Sequence, residues 1–390
     1  MESCEVLIVG AGPAGSTCAK LLAEAGISVL LMDRDQFPRD KPCAGWVTPA
    51  VWDMLRIDPQ LYKKQRLLQG IREFRTGIMY GGETVTDYGR TVSYGIRRAE
   101  FDHYLLLQSA APSILGEPVA SLERQADGWL VNGRVRTRLL IGAGGHNCPV
   151  ARALGALPAR ESAILAMVAE FEMGEEQLAR SPLTAGSVAL FFTRDLKGYG
   201  WLLRKGRFLN IGLGSLKSID LRGQAVDFCG YLRRRGDLQD DVVRHLKGHA
   251  YLPYRNGGGR KIVGDGALLI GDAAGVSYPE SGEGILPAVE TAFLAARTVL
   301  GASGDYRQEK LTSYAAAVAA RFGGKGASSG GFPLPAAVAR MGGAAILSNG
   351  WLTRHFVLDR CFLHRGQRTL DLGNKPADQG GSAKSFRDTP

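Results

Sequence analysis

A glycine-rich stretch near the start of the chain constrains the fold more than any other feature. Residues 6–9 form an apolar run typical of a short buried strand, and residues 13–25 have a helical pattern. Three glycines lie at the junction. Gly10 permits a tight turn, Gly12 lets the backbone approach a pyrophosphate, and Gly15 lets the helix pack closely on the strand. The N-terminus of such a helix offers free N–H groups and a positive dipole end to a phosphate.

A second apolar run, residues 28–32, follows this helix and predicts another strand. Asp33 ends it, 18 residues after Gly15, where a carboxylate would bond a ribose 2′-hydroxyl. A glycine motif alone would be weak evidence, since a plain glycine-rich turn has the same pattern. Strand, helix, second strand and terminal acid in this order predict a dinucleotide-binding, Rossmann-like α/β domain.

The composition is that of an ordinary globular protein. The chain has 390 residues, of which 45% are hydrophobic and 22% charged, enough for two or three lobes. The six cysteines show no metal or disulfide spacing, and no run of 18 apolar residues occurs. We therefore expect reduced thiols, a cytoplasmic location and no metal site. The net charge of +10 favours an anionic partner such as a nucleotide or a membrane, although a solvated basic surface explains it equally well. We expect no nucleic-acid partner.

A second motif indicates which dinucleotide binds. An apolar strand at 267–270 is followed by Gly271-Asp272-Ala273-Ala274-Gly275, Pro279 and Gly282-Glu283-Gly284-Ile285, and then by a helical pattern over 286–300. This segment resembles the second FAD fingerprint of the p-hydroxybenzoate hydroxylase-like flavoproteins. The resemblance implies that Asp272 bonds the ribityl chain and that the helix directs its N-terminus at the isoalloxazine C2 carbonyl. It therefore implies non-covalent FAD, not NAD.

Two further segments resemble the same group. Arg98-Ala99-Glu100-Phe101-Asp102 matches its RxxFD element, in which the arginine reaches the flavin side of the nucleotide. Residues 138–145 match a strand and turn usually written GADG, but Gly144 replaces the acid, so we do not count it as a ligand. The candidate FAD-binding residues are Gly10, Gly12, Pro13, Ala14, Gly15, Asp33, Arg34, Arg39, Cys43, Ala44, Gly45, Arg98, Val119, Gly271, Asp272, Gly282, Gly284 and Ile285.

Two stretches indicate a narrower family. Lys41-Pro42-Cys43-Ala44-Gly45 resembles the KPCGG-type loop of the geranylgeranyl reductases, with Ala44 in place of one glycine. Residues 199–204 (YGWLLR), followed by Gly212-Leu213-Gly214, resemble the YxWxFP…GxG signature that lines the isoprenoid cavity of that family, although Leu203-Arg204 replaces Phe-Pro. The alternation predicts a hairpin around 205–207 that directs Tyr199, Trp201 and Leu203 to one face. These side chains could instead be ordinary sheet core.

The order of segments predicts a discontinuous FAD-binding domain made of residues 1–70, 95–160 and 260–325. Residues 71–94 and 161–259 should form a substrate domain built on a second β-sheet, with helices at 219–236 and 238–249. His245 and His249 would then share a helix face without a third metal ligand. No second strand–GxGxxG–helix unit occurs, so electrons should come from transiently docked NAD(P)H or another reductant.

The C-terminal part should begin with a flexible linker at 323–331 and end in a disordered tail at 373–390. Between them, within residues 326–372, we expect two amphipathic helices at 334–347 and 351–362. The helices carry apolar residues beside basic ones. We expect them to hold the protein on a membrane surface rather than to complete the flavin site, or alternatively to cap the substrate domain. The residues concerned are Val338, Arg340, Met341, Ile346, Leu347, Trp351, Leu352, Arg354 and His355.

The resemblance implies an FAD-dependent oxidoreductase that reduces carbon–carbon double bonds of a polyprenyl substrate by hydride transfer. Cys43 would donate the proton, or would be only a small buried residue, and Tyr199 and Trp201 would flank the chain. The first alternative is a flavin monooxygenase or halogenase acting on an aromatic or natural-product substrate. The second is a flavoprotein that only transfers electrons to a quinone or a protein partner. The oligomeric state is open.

Overall fold

The computed structural model describes residues 2–156, 163–215, 220–238, 242–254, 260–323 and 342–370, and the backbone of residues 336–341. The predicted tail at 373–390 and all of the predicted linker beyond Gly323 lie outside these ranges, as do the side chains of Val338, Arg340 and Met341.

The described residues form eighteen strands and eleven α-helices. The strands are β1 (Glu2–Val9), β2 (Val29–Asp33), β3 (Trp46–Val47), β4 (Leu68–Ile71), β5 (Glu73–Ile78), β6 (Glu83–Asp87), β7 (Ser93–Ile96), β8 (Ser113–Leu115), β9 (Leu122–Gln125), β10 (Gly128–Val131), β11 (Val135–Gly142), β12 (Ile164–Glu172), β13 (Ser187–Phe192), β14 (Gly198–Lys205), β15 (Phe208–Ser215), β16 (Lys247–Tyr251), β17 (Val263–Gly264) and β18 (Ala267–Leu269). The helices are α1 (Pro13–Glu24), α2 (Pro49–Leu55), α3 (Pro59–Lys63), α4 (Arg98–Ser109), α5 (Pro149–Ala153), α6 (Glu175–Arg180), α7 (Leu221–Arg234), α8 (Ile285–Ala302), α9 (Gln308–Phe322), α10 (Ala336–Leu347) and α11 (Gly350–Leu352). Short 3₁₀ turns occur at Val243–His245 and Gly271–Ala274, and a π-helical segment, Thr353–Phe362, follows α11.

An eight-stranded sheet has the predicted Rossmann-like arrangement. β1 lies at its centre and pairs in parallel with β11 on one side and β2 on the other, and β18 and β8 extend the parallel set. The central strand is apolar because both faces are covered, and Val6 to Ile8 have no exposed surface. The carboxyl ends of β1, β2 and β18 therefore meet at one edge, where the two glycine motifs lie. The predicted fold class is confirmed.

A seven-stranded sheet, in the order β16-β12-β15-β14-β13-β5-β6, forms the second layer. All its pairings are antiparallel except β13 with β5. One face packs against α7, where Leu202 and Phe228 are buried in one cluster; the other buries Trp201 and Leu203 in a different cluster. The predicted hairpin is β14–β15, and its predicted two-faced alternation is confirmed. A three-stranded sheet, β3-β7-β4, completes the β-structure of the described residues.

The helix predicted over 238–249 is wrong. Residues 243–245 form a single 3₁₀ turn, and residues 247–251 form β16, which pairs with β12. The alternation of His249 and Tyr251 fits a strand, and the exposed edge of β12 supplies the hydrogen bonds that favour it. His245 and His249 therefore share no helix face.

Among the residues that the structure describes, one helix, α8, is long and apolar enough to cross a membrane by length and composition, and 78% of that stretch is buried inside the protein. It packs against α1 beneath the eight-stranded sheet and contributes Val289 and Ala292 to the interior.

Candidate active site

A cavity of about 600 Å³ lies between the parallel sheet and the seven-stranded sheet. Among the predicted site residues, all line it except Gly15 and Gly45. Its lining joins the two glycine motifs, the loop of residues 41–45 (the Cys43 loop) and the strands β12, β14 and β16. The segments that the sequence indicated separately are thus brought to one place.

The first glycine motif leaves room where a phosphate would lie. Gly10 has φ +111°, in the region that favours glycine, and a Cβ at position 15 would overlap the Gly10 carbonyl. Gly15 is therefore needed for close packing and lies behind the cavity wall. At Gly12, a Cβ would meet only the Arg39 guanidinium, at 3.5 Å, so the backbone there faces open space at the start of α1. This cradle fits the diphosphate of a dinucleotide.

Asp33 holds the glycine turn in shape. One carboxylate oxygen accepts a hydrogen bond from the Ala11 N–H at 2.7 Å, and the other accepts one from the Asp35 N–H at 3.0 Å. The side chain is almost buried and lines the cavity with Arg34 and Val119, so its remaining acceptor capacity is directed where a ribose would lie.

A buried charge cluster lies beneath the Cys43 loop. Arg98 donates two hydrogen bonds to Asp102, at 2.8 and 2.7 Å, and Arg39 approaches the same carboxylate at 3.1 Å. Burial alone would raise the pKa of Asp102, but the adjacent Arg98 outweighs it and holds the pKa below its usual value. The cluster carries net positive charge because two guanidinium groups share one carboxylate.

The second glycine motif presents a helix N-terminus to the same cavity. Gly282, Gly284 and Ile285 line the wall where α8 begins. Asp272 also lines it and accepts a hydrogen bond from the Ser277 hydroxyl at 2.9 Å, which fixes its carboxylate. A helix dipole here favours negative charge, as on a reduced flavin. Both motifs fit FAD by shape and by charge.

Cys43 lies between the cofactor motifs and the seven-stranded sheet. Its sulfur accepts a hydrogen bond from the Gly45 N–H at 3.3 Å, and its carbonyl accepts one from Asn210 at 2.8 Å. Arg98 lies beside the Cys43 side chain. Gly45 has φ +62° and contacts backbone behind the cavity wall rather than lining the cavity.

The YxW…GxG segment has a clear structural basis. Trp201 is the registered partner of Gly212 across β14 and β15, and a Cβ on Gly212 would overlap the indole ring. The glycine therefore makes room for Trp201, whose ring N–H donates to Asn210 at 2.8 Å. Tyr199 donates its hydroxyl proton to the Ser281 carbonyl, and burial raises the pKa of Tyr199 well above its usual value. Both aromatic side chains line the cavity.

Apolar side chains form one wall of the cavity, beside the seven-stranded sheet. Trp46, Ala166, Val168 and Leu190 line it, together with Phe362 from the C-terminal segment. Phe362 stacks on Trp46, with ring centres 5.6 Å apart, and contacts Tyr199 edge-on at 5.2 Å. Phe362 thus brings the C-terminal segment into the cavity wall, which fits the alternative that this segment caps the substrate domain, while its membrane contact stays a prediction.

Sequence reasoning missed several polar residues of the lining, namely Lys41, His249, Tyr251 and Glu283. Burial, followed by the charge of Lys41, lowers the pKa of His249 to about 4, so this side chain is neutral at pH 7. A carboxylate oxygen of Glu283 lies 3.0 Å from the Nε2 atom of His364. The period of two over 247–251 was the signal that could have indicated His249 and Tyr251. The described residues contain no group of three or more His, Cys, Asp or Glu side chains placed to hold a metal.

Comparisons with known proteins agree with this geometry. Residues 3–78 match the model of the FAD binding domain family. The chain is 27% identical to digeranylgeranylglycerophospholipid reductase 3 of Methanosphaera stadtmanae, over 83% of this chain and 85% of the relative. It is 32% identical to menaquinone reductase of Mycobacterium tuberculosis, over 76% of each chain. The crystal structure of a geranylgeranyl bacteriochlorophyll reductase-like protein from Thermoplasma acidophilum has the same fold, with a TM-score of 0.70 and 21% identity over 83% of this chain and 84% of that one.

A relative that is 32% identical over three quarters of both chains establishes common family membership, residues 3–78 match the FAD binding domain, and both glycine motifs line one cavity. The protein is an FAD-dependent oxidoreductase and belongs to the geranylgeranyl reductase family.

Proposed function

We propose that this protein reduces carbon–carbon double bonds in the polyprenyl chain of a lipid or quinone. The observation that carries the proposal is the continuity of one cavity from the two FAD motifs to an apolar wall formed by Trp46, Leu190 and Phe362. The names of two relatives support it, since a digeranylgeranylglycerophospholipid and a menaquinone both contain polyprenyl chains. Bound FAD would supply the hydride equivalent.

The residues of this chain would bind and orient the alkene and exclude water. An isolated trisubstituted alkene is unpolarised, so its reduction requires a dry site and a proton donor held beside it. Cys43 is our candidate donor because it lies on the wall between the cofactor motifs and the apolar side chains. The Tyr199 proton is already bonded to the Ser281 carbonyl, so Tyr199 is a wall residue in this proposal.

The monooxygenase or halogenase alternative shares the fold, and the following experiment distinguishes it from the proposed reductase. Purified yellow protein would be reduced anaerobically and mixed with a geranylgeranyl lipid, while the flavin absorbance is followed. We expect reoxidation and a product that has gained two hydrogen atoms for each reduced bond. A fully saturated analogue of the same lipid is the control. Reoxidation only by oxygen in the presence of an aromatic substrate would contradict the proposal.

The electron donor is proposed to be NAD(P)H docked transiently, or another reductant. We also propose contact with a lipid surface through the exposed Trp351 and Phe356, which are 64% and 47% exposed beside Arg354. A substrate with a long polyprenyl tail resides in a bilayer, and an interfacial segment of this composition would bring the cavity to it.

A further inference from the structure

Lys205 is a fully buried lysine for which the proposed reaction has no use. It ends β14 two residues beyond Leu203, so it lies on the same face as Tyr199 and Trp201, and it has no exposed surface. Lysine is rarely buried to this degree unless its charge is paired. The sequence pattern indicated only a turn at this position.

We propose that Lys205, Glu170 and Asn210 act together as positioning residues that hold the Cys43–Gly45 loop at the cavity wall in its working geometry. We call these three residues the Lys205 clamp. The expected loss of turnover rests on the proposed function, whereas the expected change in the loop around Cys43 does not.

The register of three neighbouring strands brings the clamp together. Glu170 on β12 is the registered partner of Asn210 on β15, and Asn210 is the partner of Leu203 on β14. Since side chains alternate along a strand, Glu170, Asn210 and Lys205 fall on one face. That face also carries Trp201, and it is directed at the cavity.

Every polar group of the clamp has a partner, and two partners belong to the Cys43 loop. The Lys205 ammonium bonds the Glu170 carboxylate and donates to the carbonyl oxygens of Ala44 at 3.1 Å and Ile96 at 2.8 Å. An ammonium has three donors, so these three acceptors satisfy it.

Asn210 provides the second attachment. Its amide donates to the Cys43 carbonyl at 2.8 Å and to Glu170 at 3.0 Å, and its oxygen accepts from Trp201 at 2.8 Å. The clamp therefore bonds two consecutive carbonyl oxygens, those of Cys43 and Ala44, and it also holds the indole ring of Trp201.

Two glycines make room for the lysine. A Cβ on Gly45 would lie 2.8 Å from the Lys205 ammonium nitrogen, and a Cβ on Gly95 would lie 2.8 Å from its Cγ. Gly45 does not line the cavity, so its place in the loop is explained by the packing behind it. Both glycines therefore leave the space that the buried Lys205 side chain occupies.

Charge pairing explains how such a residue is tolerated. Burial lowers the pKa of Lys205, and the adjacent Glu170 carboxylate opposes this effect. Arg97 approaches the same carboxylate at 3.3 Å, so Glu170 balances two cations. An apolar side chain at 205 could fill the space, but it could not bond the loop carbonyls.

The test uses the holoprotein and the substitution Lys205→Met, which keeps much of the side-chain volume. The first measurement is the rate at which iodoacetamide alkylates Cys43 in the oxidised protein without substrate, with Cys361 as internal reference. The second is the turnover of a geranylgeranyl lipid. We expect an altered alkylation rate at Cys43 and a kcat reduced about tenfold or more, with FAD occupancy retained, because small displacements of a reacting group are costly.

The control is Arg207→Gln. Arg207 is two residues away on the same hairpin, half-exposed, and paired with Glu175 at 2.7 Å. Its loss should leave both measurements unchanged. If Lys205→Met does not fold, Glu170→Gln keeps the shape of its side chain and provides the same test.

The double variant Lys205→Met/Glu170→Met separates positioning from stability. Removing both buried charges should restore thermal stability, because Arg97 keeps Glu100 as a partner at 3.2 Å, while the alkylation rate and kcat stay altered. A folded variant with wild-type alkylation of Cys43 and wild-type kcat would overturn the proposal. If the wild-type protein reduces no polyprenyl lipid, the proposed function fails, and the alkylation rate alone decides whether the clamp positions the loop.

Discussion

The two sides of the cavity are built in different ways. On the cofactor side, a few consecutive residues define the wall: the backbone at Gly10 and Gly12 forms the cradle, and the start of α8 faces it. On the substrate side, Trp46, Tyr199 and Phe362 come from segments separated by more than a hundred residues, and they meet only in the folded protein.

This difference explains what each side tolerates. A backbone cradle depends on the absence of side chains, so it tolerates few substitutions and has a local sequence signature. A wall of packed side chains can change in shape while its polarity is kept. Leu203 and Arg204 illustrate this, since Leu203 is buried on the cavity face while Arg204 bonds the Leu183 carbonyl and does not line the cavity.

The largest expected effect comes from the cofactor side, where side-chain charges do matter. Asp102→Ala should cost about 3–5 kcal/mol of unfolding free energy, because it leaves the buried Arg98 without its carboxylate and removes the nearer acidic partner of Arg39. Chemical denaturation of wild type and variant measures it.

The same group predicts a pH dependence. The pKa of Asp102 is lowered in the folded state, so its stabilisation is present above the unfolded value, about 3.9, and is lost as the pH falls through the folded value. The stability difference between wild type and Asp102→Asn should therefore narrow below about pH 4. A difference that stays constant at low pH would contradict the pairing.

The second prediction tests the boundary between the two sides. Cys43→Ala should keep FAD but slow alkene-dependent flavin reoxidation by about 100-fold, since a positioned acid contributes on the order of 10²–10⁴. Flavin reduction by dithionite should stay unchanged. Cys43→Ser carries a much weaker acid and should recover little of the lost reoxidation rate. Reoxidation of Cys43→Ala at the wild-type rate would assign the thiol a packing role only.

The third prediction tests the backbone nature of the cofactor side. Gly15→Ala should lower stability by about 1–3 kcal/mol and weaken FAD binding, because the new Cβ overlaps the Gly10 carbonyl. Gly301→Ala is the matched control, since a Cβ there would meet nothing within 4 Å. Thermal unfolding and FAD titration of both variants measure these effects. Equal stability and equal FAD affinity of the two variants would show that the glycine turn accommodates the new side chain.

The smallest effect is expected at the surface. Trp351→Ala and Phe356→Ala should each weaken sedimentation with anionic liposomes by about 1 kcal/mol, because interfacial side chains are only partly buried. Leu61→Ala, which removes a residue that is 61% exposed on α3, is the control. Unchanged sedimentation of the C-terminal variants would leave this segment with its capping role alone.

The cofactor side could be predicted from sequence because its structure is local. The apolar runs at residues 6–9 and 28–32 and the glycine-rich segment between them appear as β1, α1 and β2 with shifts of a few residues. The hairpin β14–β15 was predictable for the same reason, since period-two alternation decides which face a side chain occupies.

The rest depended on contacts between distant segments. The stretch from 247 to 251 became a strand because β12 offered a free edge, which no local pattern shows. Phe362 reached the cavity through C-terminal packing against Trp46. Lys205 looked like a turn residue, and its burial depends on space left by Gly45 and Gly95.

The central claim is that one cavity joins a flavin side and a separate polyprenyl side, and two half-reactions of Phe362→Ala test it most directly. Phe362 contacts Tyr199 and Trp46 on the apolar wall and lies outside both glycine motifs. Stopped-flow absorbance would follow anaerobic flavin reduction by dithionite and then reoxidation by a geranylgeranyl lipid. We predict wild-type reduction and reoxidation slowed about tenfold or more. Equal slowing of both steps, or wild-type rates in both, would contradict the account.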